Sequence, residues 1–129
     1  MKCPKCACPM DRIQFHGAPF SRCEGCNGLW FDGIGHKAMK ALERSESIDI
    51  GDEAQGHKLD GMPDVSCPVC GRPMDTLRDT FHPHIRYEAC ASGDGVFFDA
   101  GEFRDFKEEK LGDFFKSLTW YFRKHKTKH

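Results

Sequence analysis

Short apolar runs interrupted by turn residues make up most of this chain. "MDRIQFH" (Met10 to His16) alternates apolar and polar positions loosely, and "FSRC" (Phe20 to Cys23) follows a break at Gly17 to Pro19. "LWFD" (Leu29 to Asp32) is a denser run of bulky residues. Aromatic and branched side chains suit strands, so these segments predict three short antiparallel strands. The same order returns later: a short segment after the CxxC turn of Cys67 and Cys70, a break around Pro83, "IRYEAC" (Ile85 to Cys90) and "VFFD" (Val96 to Asp99). A helical pattern follows each set. "GHKAMKALERSE" from Gly35 has strong helix formers with Met39 and Leu42 three apart, and "AGEFRDFKEEK" from Ala100 carries acids near its start. Asp99 is the expected N-cap of the second helix, with Glu102 closing a capping box, and Asp32 is expected to cap the first.

The remaining segments differ in character. Ser45 to Val65 is polar and glycine-rich and reads as a linker or loop. Leu111, Phe115, Leu118 and Phe122 form a helical stripe near the end of the chain, followed by the basic "RKHKTKH". The expected organisation is therefore a first module at 1–46, a linker at 47–64, a second module at 65–110, and an amphipathic helix with a basic tail at 111–129.

The two modules are copies. "CPKCACPMD" (Cys3 to Asp11) aligns without a gap on "CPVCGRPMD" (Cys67 to Asp75), and "CEGCNGLWFD" (Cys23 to Asp32) aligns on "CASGDGVFFD" (Cys90 to Asp99). Sixteen residues separate Cys6 from Cys23 and nineteen separate Cys70 from Cys90, so the second copy carries three extra residues between its halves. One position breaks the likeness: Gly93 stands where Cys26 stands in the first copy.

Composition narrows the chemistry. The chain has 129 residues, a net charge of -1, eight cysteines, and no apolar run near the ~20 residues that span a bilayer. Its first residues offer no apolar signal segment, so a cytoplasmic location is expected. In a reducing compartment, paired cysteines favour metal over disulfides. Cys3, Cys6, Cys23 and Cys26 form two CxxC turns, the spacing of a closed tetrahedral zinc cage. Such a cage is structural, and a module of this size needs the stability it supplies. Cys8, whose counterpart is Arg72, stands outside the set and reads as a surface thiol.

In the second copy Cys67, Cys70 and Cys90 lack a fourth cysteine. Asp94, beside the vacancy, is the favoured fourth ligand, since carboxylate oxygen binds zinc. His82 and His84 are the alternatives, but on an extended strand they lie roughly 20–26 Å from Cys90. Water, a partner's ligand or no metal at all also stay open. Two zinc ions are expected, the second on weaker grounds.

The motif CPxC, then Met, then a second cysteine turn running into Gly, an aromatic and Asp resembles the bacterial zinc-ribbon family named after transcription factor IIB. Cys3, Pro4, Cys6, Met10, Cys23, Cys26, Gly28, Trp30 and Asp32 carry the likeness in the first copy. Cys67, Pro68, Cys70, Met74, Cys90, Gly95, Phe97, Asp99, Gly101 and Glu102 carry it in the second, with Gly93 and the earlier Gly35 as departures. The resemblance covers about two thirds of the chain. It implies zinc-ribbon folds and cysteine ligands, and no activity.

The expected fold class is thus a small metal-stabilised α+β protein: tandem zinc ribbons, each a three-stranded antiparallel sheet with a following helix, plus a C-terminal amphipathic helix. The leading functional expectation is a non-enzymatic zinc-binding interaction module with a protein partner. Binding to nucleic acid or the transcription machinery is the alternative, and a metal-handling or hydrolytic role at an open second site is the third. No Ser/His/Asp or paired-carboxylate motif supports catalysis. The sequence sets no oligomeric state.

Overall fold

The computed structural model describes residues 1–60, 62, 64–78 and 85–107. The expected C-terminal helix and both His82 and His84 lie outside them. The first copy folds as strands β1 (Met10–Phe15), β2 (Ala18–Cys23) and β3 (Leu29–Asp32), followed by helix α1 (Gly35–Ala41). The second folds as β4 (Met74–Arg78), β5 (Arg86–Cys90) and β6 (Gly95–Phe98), followed by helix α3 (Glu102–Lys107). His16 and Gly17 both have positive φ, at 48° and 84°. They make the two-residue turn between β1 and β2, the kind whose twist matches that of its strands.

The two copies do not stand apart. Their last strands pair, giving one six-stranded antiparallel sheet in the order β1-β2-β3-β6-β5-β4. The seam register sets Leu29 opposite Phe98, Trp30 opposite Phe97, Phe31 opposite Val96 and Asp32 opposite Gly95. Trp30 and Phe97 are equivalent positions in the sequence repeat, 67 residues apart. A pseudo-twofold axis therefore passes through their pairing, as in an isologous dimer joined into one chain.

The dense runs "LWF" and "VFF" are explained by this seam. A strand at the centre of a sheet covered on both faces needs apolar residues on both. Leu29, Phe31, Val96 and Phe98 face a core shared with Phe20, Met39, Ile48, Phe103 and Phe106, which α1 and α3 cover. Trp30 and Phe97 point the other way, into a cluster containing Cys3, Cys23, Cys26, Cys67 and Cys90. Gly28 and Gly95 seat the opposite copy's aromatic ring. A Cβ on Gly28 would lie 2.2 Å from Phe97 Cζ, and one on Gly95 would lie 2.5 Å from Trp30 Cζ2. The Gly-x-aromatic pattern of each copy thus serves the seam.

Two expectations are corrected. The segment read as a linker, 47–64, contains ordered structure: a 3₁₀ turn at Ser45–Ile48 leads into helix α2 (Glu53–Asp60). Both ribbons hold it. Arg22 of β2 donates to the Ile48 carbonyl at 2.7 Å, and Gly56 packs so closely on Ala100 that a Cβ would fall 2.1 Å from its carbonyl oxygen. Its polar, glycine-rich composition reflects close backbone approach.

The second correction concerns caps. Helix α1 has Ile34 at its N-cap with no side-chain cap, while Asp32 accepts from Trp30 Nε1 at 2.9 Å and pairs with Arg12 at 2.7 Å. At α3 the buried Asp49 takes the capping role from across the molecule. Its carboxylate accepts from the Gly101 and Arg104 amides, each at 2.9 Å. Glu102, expected to close a capping box, instead reaches the Arg86 amide at 3.3 Å.

Candidate metal centres

The CxxC turns that open each copy share one backbone design. The Cys3 amide donates to the Cys8 carbonyl at 2.8 Å and the Ala7 amide to the Cys3 carbonyl at 3.0 Å. In the second copy Cys67 bonds to Arg72 at 2.8 Å and Gly71 to Cys67 at 2.9 Å. Ala7 and Gly71 both take the left-handed conformation, with φ of 64° and 74°. The sequence repeat is therefore a repeat of hydrogen bonds and dihedrals as well as of cysteines.

The first donor set gathers Cys3 and Cys6 from this turn with Cys23 and Cys26 from the turn between β2 and β3. Their sulfurs all lie within 4.8 Å of one another. Cys3 and Cys26 approach to 3.7 Å, and Cys6 and Cys23 to 3.3 Å. A zinc–sulfur bond of ~2.3 Å in a tetrahedron requires edges of about 3.8 Å, so the set fits the ion. Backbone amides orient the thiolates: Lys5 N to Cys3 Sγ at 3.4 Å, Gly25 N to Cys23 Sγ at 3.3 Å and Cys26 N to Cys23 Sγ at 3.4 Å. The hydrogen bond with Cys26 is the main cause that holds the Cys3 thiol down to about 5, and it pushes the Cys26 thiol up. A zinc ion held by the four sulfurs would replace the shared protons and supply the positive charge that this crowding calls for.

The second set brings Cys67, Cys70, Cys90 and Asp94 within the same 4.8 Å limit. Cys70 and Cys90 are 3.6 Å apart. A single oxygen of Asp94, Oδ2, lies 3.5 Å from Cys90 Sγ and 3.7 Å from Cys67 Sγ. A tetrahedral zinc with one oxygen at ~2.0 Å and sulfur at ~2.3 Å needs S···O separations of about 3.5 Å, which this geometry meets. Hydrogen bonding, first from the Cys70 thiol, lowers the Asp94 carboxyl below its ordinary value and keeps it a ready ligand.

The replacement of Cys26 by Asp94 follows from a shift of one residue in the turn. In the first copy the left-handed residue is Asn27, with φ of 61°, directly after the ligand Cys26. In the second copy it is Gly93, with φ of 83°, at the aligned ligand position itself. The turn closes one residue earlier, with the Gly93 amide donating to the Cys90 carbonyl at 3.0 Å. The next side chain, Asp94, then swings into the fourth position.

Cys8 lies beside the first cage. It lines a cleft of about 680 Å³ with Cys6, Cys26, Asp52, Lys58 and Leu59, partly walled by α2. It is partly covered rather than a plain surface thiol.

Sequence reasoning missed one polar cluster near the first cage. Lys5, between Pro4 and Cys6, has a fully buried side chain. Its ammonium contacts Glu88 Oε1 at 2.8 Å and Asp99 Oδ2 at 2.9 Å, and donates to the Leu59 carbonyl at 2.8 Å. Burial alone would lower the Lys5 pKa, but Asp99 and Glu88 outweigh it and raise the value. A lysine within a cysteine turn normally reads as solvated, and no spacing in the chain links it to residues 83 and 94 positions away.

Residues 2–33 match the TFIIB-type zinc-ribbon family model, described as a transcription factor zinc-finger. The match spans β1 to β3 and the whole first donor set, about a quarter of the chain. No curated protein and no solved structure matches the chain. Fold and four-sulfur set agree with that match over residues 2–33, and the set at Cys67, Cys70, Cys90 and Asp94 is consistent with a second, divergent zinc site on the same sheet.

Proposed function

We propose that the protein is a zinc-binding interaction module without enzymatic activity, a small adaptor or regulator. The observation that carries this reading is the closure of the first donor set: four thiols meet the tetrahedral demand of zinc and leave no position for a reacting water. Asp94 Oδ2, 3.5 Å from Cys90 Sγ, offers the second set a fourth donor, and a site closed by it would oppose the hydrolytic alternative. Cysteines gathered for metal in this way suit a reducing compartment such as the cytoplasm. Among the described residues no helix is long and apolar enough to cross a membrane.

In-cell crosslinking of the full chain, compared with a Cys3→Ser/Cys26→Ser variant, tests the reading. A protein partner held by the wild type and lost in the variant supports a zinc-dependent module. Equal recovery by both contradicts it.

A second reading, binding to nucleic acid, is favoured by the family description of residues 2–33 and by the basic tail. Phosphate contacts release counterions, so such binding weakens steeply with salt. Gel-shift titration at low and moderate salt decides: salt-sensitive binding supports this second reading, and no binding removes it.

A further inference from the structure

We propose that Lys5 couples the two metal centres, so that zinc in the first raises the affinity of the second. The inference rests on the zinc-binding reading and deepens it.

Lys5 belongs to the first cage by its backbone. It occupies the Cys3–Cys6 turn, and its amide bonds Cys3 Sγ at 3.4 Å. Its side chain belongs to the second ribbon. Glu88 lies on β5, two residues before the ligand Cys90, and Asp99 directly follows β6, whose first residue follows the ligand Asp94. A second tie runs in the opposite direction: the Gly33 amide of the first ribbon donates to the Asp94 carbonyl at 2.9 Å.

The sign of the coupling follows from charge. Glu88 and Asp99 both approach one ammonium, within 2.8 and 2.9 Å, and both are buried. With Lys5 withdrawn, two carboxylates would face each other out of water, and like charges in one buried site destabilise it. Lys5 is held there only while its turn is ordered, and metal orders that turn. Zinc at Cys3, Cys6, Cys23 and Cys26 therefore steadies the strands that carry Cys90 and Asp94. Thermodynamic reciprocity makes the second ion strengthen the first equally. The arrangement is one-sided: the equivalent of Lys5 is Val69, which is 58% exposed.

Cobalt(II) titration of the full chain tests this, because four-sulfur and three-sulfur-one-oxygen sites give distinct ligand-field spectra. The quantity to measure is second-site affinity with the first cage intact, relative to that in Cys26→Ser. A ratio of about tenfold or more is expected. Lys5→Met keeps every donor atom and should lower second-site affinity while leaving the four-sulfur spectrum in place. Should that variant fail to fold, Lys5→Met/Glu88→Gln/Asp99→Asn removes the stranded charges. In it the ratio should fall towards one. A ratio near one in the wild type, with both ions bound, overturns the coupling and leaves the zinc reading standing. A ratio that persists in the triple variant overturns the role of Lys5. Failure of the second site alone to take metal overturns the coupling and leaves the zinc reading standing, whereas failure of the first removes both.

Discussion

At the scale of single residues, Gly93 and Asp94 show how a change in turn geometry brings a carboxylate to the place of a missing cysteine. Gly93 has φ of 83° and open space around its Cα, so only its backbone conformation resists a side chain. Left-handed backbone costs an L-residue roughly 1–2 kcal/mol. Gly93→Cys should therefore fail to rebuild a four-sulfur site, and its cobalt spectrum should keep three-sulfur-one-oxygen character. Asp94→Ala should abolish the second site, while the first still takes its ion with the lowered affinity that the coupling predicts. Asp94 was legible in the sequence as the residue next to the vacancy. The turn shift that places it was not, because it depends on which residue turns left-handed.

His36 makes a second residue-scale prediction. It is buried among the rings of Tyr87, Phe98 and Phe106, and burial lowers its pKa to about 4. An unfolded histidine titrates near 6.5, so between these values the unfolded chain binds more protons than the folded one. Stability should be full above about pH 6.5 and fall as pH drops towards 4, by roughly 3 kcal/mol from this group. Histidine NMR should show His36 neutral at pH 5.5. A charged ring at that pH would contradict the buried placement.

At the scale of elements, the strands were legible because bulky residues recur at the same place in both copies. Their pairing was less so. "LWFD" and "VFFD" each announce a strand, but only the apolar character of both faces hints that it sits at the centre of a sheet. The caps show the same limit. Asp99 has the residue type and spacing of an N-cap, yet α3 takes Asp49, fifty-two residues before Gly101. Asp49→Ala should cost about 1 kcal/mol, with a range of ~0.5–2. Hydrogen exchange should quicken at the Gly101 and Arg104 amides first. Unchanged protection there would contradict the cap. Gly95→Ala is the matching test of the seam. A methyl group would meet the Trp30 ring and the Phe31 carbonyl, the latter at 2.3 Å. The variant should weaken pairing of β3 with β6 and lower the melting temperature, whereas a partly exposed strand glycine would ordinarily tolerate alanine.

At the scale of the whole molecule, the duplication becomes one object. Two ribbons share a seam, a two-sided core, a strap from Ser45 to Asp60 and the buried Lys5 cluster. The repeat was plain in the sequence, as were both cysteine sets. Their union was not, because the groups that achieve it, Lys5, Asp49, Glu88 and the seam glycines, follow no local rule. The second ribbon keeps Gly95 and Phe97 despite its altered donor set, since these positions answer to the first ribbon rather than to metal. The thin apolar content of each module is likewise offset, because each covers an edge of the other that would otherwise be open.

The central claim is that this single sheet carries two zinc centres, one of four sulfurs and one of three sulfurs and the Asp94 carboxylate. Native mass spectrometry of the full chain with saturating zinc tests it most directly. Two ions per wild-type chain, and one per chain in Asp94→Ala, are predicted. No more than one ion on the wild type, or two retained by Asp94→Ala, would contradict it.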